Sequence, residues 1–401
     1  MRYPIDLFVG REGEAERLLA VIGGAGSTRQ TIEGLPGFGK TTLAQYVKSR
    51  AAAAGYASYP DPVSAAGVDT TDTLLVRLLS YVHDAVTTHL GSAVLNDPAV
   101  EAARRLVLDT RVRDIKLAAQ VAGFGFDREV ATRTEPATFH IGLLAIPPLL
   151  RELPRVAARH GVPGIVVHIN NLENLVTDAD RMRAGHALLD LRDLYLIDGL
   201  HFLLVGTSDA VRALIAPHAQ LRSVFGIGRP LEPLPRDAFL SLLARRYTHL
   251  RLDPSREVRA PVDHDAAAEI YRVYRGDLRG TLRALDEATR ELIGYTSEPG
   301  EPIRARELFS VLVPMLQAEA DTTLSDSMQE RFYALRSIGD REVTQRELVD
   351  HWSVAQPTVS EYVRELQRLG YVHETRRQGR QIWYALTGPA RLVLGLDHPG
   401  S

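Results

Sequence analysis

Apolar residues recur along the chain at two spacings, and these predict its elements. Ala15, Leu18, Leu19 and Ile22 fall on one side of a helix that follows Phe8-Val9-Gly10-Arg11-Glu12. Leu74, Leu75, Leu78, Val82 and Val86 do the same in a helix over 71–90. Two runs, Gly164 to Ile169 and His201 to Val205, are almost wholly apolar, which predicts parallel strands buried on both faces. A shorter β-like run, Gln30 to Glu33, enters a glycine-rich loop and then a helix reaching toward Arg50. Lys116 to Thr134 carries two apolar runs around Gly123-Phe124-Gly125, which predicts a β-hairpin covering a sheet edge or probing a partner. Leu196-Ile197-Asp198-Gly199 reads as an Asp-Gly turn. Helices over 237–247 and 305–316 follow, then a linker from Ala318 to Ser325.

The last stretch reads as a separate module. A helix runs from Met328 to Ser337, and the capping box Thr344-Gln345-Arg346-Glu347 opens a second. Gln356-Pro357-Thr358-Val359-Ser360 opens a third, with Val359, Val363 and Leu366 inward and Gly370 at its end. Strands starting at Tyr371-Val372 and spanning Gln381 to Leu386 complete the module.

The glycine-rich loop carries the first chemistry. Gly34-Leu35-Pro36-Gly37-Phe38-Gly39-Lys40-Thr41 fits G-x-x-x-x-G-K-[ST] between a strand and a helix. The glycines let backbone N–H groups converge on phosphate oxygens, and the helix N-terminus favours the same anion. Pro36, Phe38 and Thr42 belong to this cradle. Lys40 would reach the β- and γ-phosphates of ATP, and the Thr41 hydroxyl would ligate Mg²⁺. Composition sharpens the point: the chain has only three lysines, Lys40, Lys48 and Lys116, so arginine supplies nearly all other positive charge. A lysine kept here suits a loop that grips a compact ammonium.

Net charge is −3 and the pI about 6.5, so any nucleic-acid contact must be local rather than global. The absence of cysteine excludes disulfides and thiolate metal sites and fits a reducing cytosol. No apolar run is long enough for a bilayer span and the N-terminus lacks a leader's apolar core, which predicts a cytoplasmic protein without membrane contact.

The F-V-G-R-E stretch ahead of a phosphate loop resembles the N-terminal box of AAA+ and STAND ATPases. That resemblance implies Phe8, Val9 and Arg11 near the adenine. In those families the strand ending here in Asn170-Asn171 ends in two acids, one for the magnesium-bound water and one to polarise the attacking water. Amides can hydrogen-bond a metal-bound water but cannot act as a general base, and Glu173 is the only acid nearby. Hydrolysis is therefore expected to be slow. Thr207 or Ser208, after the next strand, matches sensor 1 by resemblance, or simply caps the following helix. Leu221-Arg222-Ser223 resembles the arginine-finger box of origin-initiator ATPases; Arg222 would then reach a neighbouring subunit's γ-phosphate, or is a surface arginine. Gly276-Asp277-Leu278-Arg279 matches the G-D-x-R sensor 2 motif, which implies that Arg279 couples lid angle to nucleotide state.

The C-terminal module resembles a winged helix of the MarR/ArsR type. The resemblance implies a third helix in the major groove of duplex DNA, with Gln356, Thr358, Ser360 and Arg364 outward and Arg376, Arg377 and Arg380 at the wing. Glu361 and Glu365 temper the attraction, and some winged helices bind proteins instead.

The combined expectation is an α/β fold: a P-loop NTPase parallel-sheet domain over 1–234 with an insertion at about 60–150, a helical lid over 235–317 and a winged helix-turn-helix over 318–401. The order resembles the origin-initiator branch of AAA+ proteins and neighbouring STAND regulators. It implies a homo-oligomeric ATP switch on DNA. The alternatives are a signalling or defence scaffold whose winged helix docks a protein effector, and an ATP-dependent transcription regulator.

Overall fold

The computed structural model describes residues 5–65, 71–108, 144–172, 175, 178–226, 228–251, 255, 258–294, 300–378 and 381–397. The expected hairpin at 116–134 lies outside these residues, as do Glu173 and Arg380. Two compact units emerge: residues 1–34 with 40–231, and residues 232–401 with the loop 35–39.

In the first unit, helix α1 (Glu12–Gly23) leads to strand β1 (Thr28–Glu33), helix α2 (Lys40–Ala53), strand β2 (Val63–Ser64) and helix α3 (Thr71–Leu90). Then come α4 (Ile146–Arg159), β3 (Ile165–Asn170), α5 (Asp178–Asp190), β4 (Leu200–Gly206), α6 (Ser208–Ile215) and α7 (Ala219–Val224). The four strands form one parallel sheet in the order β1-β4-β3-β2. Every residue of β3 and β4 is buried, as their uninterrupted apolar runs predict. Ile32, Val166, Leu203 and Val205 pack on α1 and α2, while Ile165, Val167, Ile169, Phe202 and Leu204 pack on the opposite layer with α3 to α7. Burying such side chains contributes roughly 1.5–3 kcal/mol each. The sheet therefore fixes the ends of β1, β3 and β4, where the candidate site begins. The expected Asp-Gly turn is present, with Gly199 at φ +83°.

The second unit contains α8 (Arg236–Leu250), α9 (His264–Val273), α10 (Leu278–Ile293), α11 (Ala305–Thr323), α12 (Asp326–Ala334), β5 (Val343–Thr344), α13 (Gln345–Trp352), α14 (Gln356–Arg368), β6 (Val372–Gln378), β7 (Gln381–Leu386) and α15 (Gly388–Val393). The linker expected at 318–325 is instead helical to Thr323, because Ala318, Glu319 and Ala320 are good helix formers and Ala320 is buried in the core. The Thr344–Glu347 capping box forms as expected, with Glu347 N–H donating to Thr344 Oγ1 at 3.3 Å and Thr344 N–H to Glu347 Oε2 at 2.7 Å. Trp352, Val359, Val363, Leu366 and Tyr384 share one core with the α9–α11 helices. Strands β5, β7 and β6 form an antiparallel sheet in that order.

A polar pair lies beneath α2 within the apolar layers. Lys48 is 2% exposed and donates to Pro60 O at 2.9 Å; burial pushes its ammonium down to about 8, against the opposing pull of Asp61. His168 of β3 is fully buried, and neither ring nitrogen finds a partner among the described residues. Burial, and secondarily the charge of Lys48, push its pKa from 6.5 down to about 3. Between those two values the unfolded chain binds the extra proton, so this group makes stability fall as pH drops through that window. Melts at stepped pH should lose up to about 1.4 kcal/mol per pH unit from this source, and His168→Phe should remove that share. An unchanged acid slope in the variant would contradict the assignment.

Candidate functional site

Strand β1 delivers Gly34 to the edge of the site, and α2 begins at Lys40. The Lys40 side chain is only 7% exposed, and its Nζ donates to Gly34 O at 3.0 Å. Gly34, Gly37 and Gly39 all have positive φ (155°, 78° and 81°). At Gly37 and Gly39 these values lie in the left-handed region that glycine adopts without cost. Phe38 is buried, whereas Pro36 and Thr41 are exposed and Thr42 is half-buried.

The end of β3 meets the start of α2. Asn170 is 6% exposed, and its Nδ2 donates to Thr41 Oγ1 at 3.4 Å. Its Oδ1 is buried with no partner among the described residues. The position expected to carry an acid thus places an amide against the hydroxyl expected to meet a metal. Asn171 behaves differently. Its φ is 67°, and its Nδ2 donates to Ser64 Oγ of β2 at 3.2 Å. This side chain ties two strand ends together rather than joining Thr41.

The other expected residues are dispersed. Thr207 accepts from Ala210 N–H at 3.3 Å and so caps α6, the second of its two readings. Phe8 is buried and stacks on Tyr46 with ring centroids 3.7 Å apart, while Val9 is half-buried. Arg11 is buried and lies 3.5 Å from Glu14. Arg222 is exposed on α7 and Arg279 on the first turn of α10.

Sequence reading missed three groups at or below the site. Glu33, the residue before the loop, is fully buried; it accepts from Thr31 Oγ1 at 3.0 Å and Gly228 N–H at 3.1 Å. Burial raises its pKa and those two bonds oppose the rise. An acid set between the apolar Ile32 and the glycine-rich loop was a visible signal. Lys48 could have been found from the rarity of lysine. Asp277, whose carboxylate caps α10 by accepting from Gly280 N–H at 3.0 Å, was passed over for its neighbour Arg279.

On the winged helix, α14 presents Gln356 and Ser360, whose side chains both donate to Gln345 Oε1, at 2.8 and 3.0 Å. Thr358 is half-buried. Arg364 is exposed and bonds to no described residue. The wing arginines are engaged: Arg376 donates to Glu342 at 3.0 Å and stacks over Trp383 at 4.1 Å, and Arg377 donates to Glu374 at 3.1 Å.

The geometry defines an α/β protein of phosphate-loop topology that also carries a winged helix. The MarR family matches residues 324–381, a span running from the start of α12 to the start of β7. A comparison with curated proteins gives no match. Among solved structures, the chain is similar to the Aeropyrum pernix ORC1 protein in complex with DNA, at 16% identity and TM-score 0.48, over 98% of this chain and 92% of that one. It is similar to the Aeropyrum pernix ORC2 protein at 17% identity and TM-score 0.46, over 96% and 92%. AMPPCP-bound DnaA from Aquifex aeolicus matches at 13% identity and TM-score 0.38, over 92% of each chain. No helix among the described residues is long and apolar enough to cross a membrane.

The backbone at Asn171 gives a direct test. A β-branched residue in the left-handed region is strained, whereas glycine is not. Asn171→Val should cost roughly 1–3 kcal/mol and Asn171→Gly much less in thermal melts. Equal losses would show that the Ser64 bond, not the backbone, sets the residue.

Proposed function

We propose that this chain is an ATP-binding, slowly hydrolysing switch that couples nucleotide state and self-assembly to duplex DNA binding by its winged helix. The observation that carries the reading is the pairing of Thr41 with Asn170 beside a buried Lys40 at the mouth of a phosphate loop. Glycines at positive φ leave the loop backbone free to turn its N–H groups toward oxyanions, and Lys40 adds the cation. The donor set fits a magnesium ion: Thr41 Oγ1 would hold it, and the orphaned Oδ1 of Asn170 would accept from its water shell. When bound, the ion supplies charge neutralisation for the phosphates.

The same residues explain the expected slowness. An amide cannot take a proton from water, so Asn170 orients without acting as a base. Asn171 is committed to Ser64 and its backbone is curled, so an acid placed there would not simply restore catalysis. Arg222, exposed on α7, is the residue we assign to a neighbouring subunit's nucleotide in an assembled state, and Arg279 the one to sensing. We place the protein in the cytoplasm and divide it at 1–234, 235–317 and 318–401.

On the DNA side Arg364 is the principal free cation of α14, whereas Arg376 and Arg377 must first leave their acids. Phosphate contacts made this way should weaken steeply with salt. The neutralised wing also favours a second reading: a STAND-like scaffold whose winged helix docks a protein effector.

Calorimetry with ATP and Mg²⁺ should give binding to the parent and none to Lys40→Ala, with turnover well below that of an acid-bearing ATPase. Gel shifts at low salt should show duplex binding that Arg364→Ala with Arg377→Ala abolishes. Absence of any shift in the parent would favour the effector reading, and absence of nucleotide binding would remove both.

A further inference from the structure

Within the second unit, a backbone contact joins the phosphate-loop residues 35–39 to helix α10. Gly37 O accepts from Leu278 N–H at 3.2 Å. Leu278 is the first residue of α10, and an N–H at that position has no partner within its own helix. Beside it, the Asp277 carboxylate fills the space where a side chain on residue 37 would stand: a Cβ there would lie 1.7 Å from Oδ1. Glycine at position 37 is thus required by its neighbour as well as by its φ of +78°.

The turn that makes this contact is tied at its other end to the winged helix. Arg275 Nη2 donates to Asp340 O at 3.0 Å and pairs with the Asp340 carboxylate. Asp340 also pairs with Arg391, whose Nε donates to Asp397 Oδ2 at 2.7 Å. Asp397 Oδ1 in turn lies 3.2 Å from Arg272 Nη2. Arg391 and Asp397 are each 5% exposed. The Tyr274 ring closes the same junction, since a Cβ on Gly388, at the start of α15, would lie 2.5 Å from its Cγ. Residues 272–278 therefore touch the loop apex at one end and both flanks of the winged-helix core at the other.

We propose that this segment is a strap through which occupancy of the phosphate loop and the binding state of the winged helix bias one another, with the Leu278 N–H as its positioning group at the loop. The proposal rests on the nucleotide-binding reading given above. A phosphate held by the loop's N–H groups would act on the same backbone whose Gly37 carbonyl accepts from Leu278. Coupling of this kind is reciprocal: whatever factor DNA imposes on nucleotide affinity, nucleotide imposes on DNA affinity.

Leu278→Pro isolates the contact. Proline is favoured at the first helical position, and Asp277 at φ −68°, ψ 97° already has the extended backbone that precedes a proline. The variant removes the N–H and keeps the Asp277 cap. Leu278→Ala controls for the lost side chain, which is partly buried. Both full-length variants and the parent would be titrated with a non-hydrolysable ATP analogue, with and without a mixed-sequence duplex. Deuterium uptake of a peptide covering 35–42 would be followed without nucleotide. We expect faster uptake in Leu278→Pro than in Leu278→Ala. We also expect the DNA-dependent ratio of analogue affinities to collapse toward one in the proline variant alone, a change of about fivefold, the worth of one net hydrogen bond. Equal uptake in the two variants overturns the latch whether or not nucleotide binds. Unequal uptake with equal ratios overturns the transmission. A parent that binds no analogue while the uptake difference holds would sink the nucleotide reading, and the coupling with it, but leave the latch standing.

Discussion

The ammonium of Lys40 is nearly sealed from water, and the Gly34 carbonyl accepts from it at 3.0 Å. A desolvated cation of this kind is costly unless oxygens or an anion compensate it. The sheet makes that arrangement possible: β1 pairs with β4 from Thr28 to Glu33, which fixes where the loop leaves, and the fully buried β3 fixes where Asn170 arrives. The loop, the first turn of α2 and the end of β3 are thus set by burial elsewhere. There, among the described residues, the Asn170 amide faces the Thr41 hydroxyl.

Two adjacent asparagines serve different ends. Asn170 stays in line with its strand and turns its amide to the Thr41 hydroxyl. Asn171 leaves the strand with a positive φ and spends its amide on Ser64. An aspartate at the first position would add charge beside a hydroxyl, while a glutamate at the second would have to bear the strained backbone and lose the strand tie. Both positions thus carry amides, which cannot take a proton from water.

Much of this was legible from residue order. Uninterrupted apolar runs marked β3 and β4, the spacing of Leu74 to Val86 marked α3, and the Thr344–Glu347 box marked the start of α13. The loop announced itself through its glycines and one of few lysines. What escaped were properties that depend on a partner distant in sequence. No local pattern says that Phe8 stacks on Tyr46, that Gln345 gathers Gln356 and Ser360, or that Glu342 occupies Arg376. Helix α11 ran past its expected end because packing of Ala320 outweighed the polar look of its last turns. Asp277 looked like a mere neighbour of an arginine, since only the fold reveals that its carboxylate stands in the space of a missing side chain.

The Arg391–Asp397 pair sits inside the protein, whereas Arg364 and Arg376 stand at the surface. Dissolved ions screen charges they can approach and scarcely touch those they cannot. Raising ionic strength should therefore sort the arginines of the second unit into two populations. Those facing solvent would let go of any polyanion, while the internal pair would stay closed. Added salt would thus loosen contacts made at the wing surface and leave the joint behind it closed.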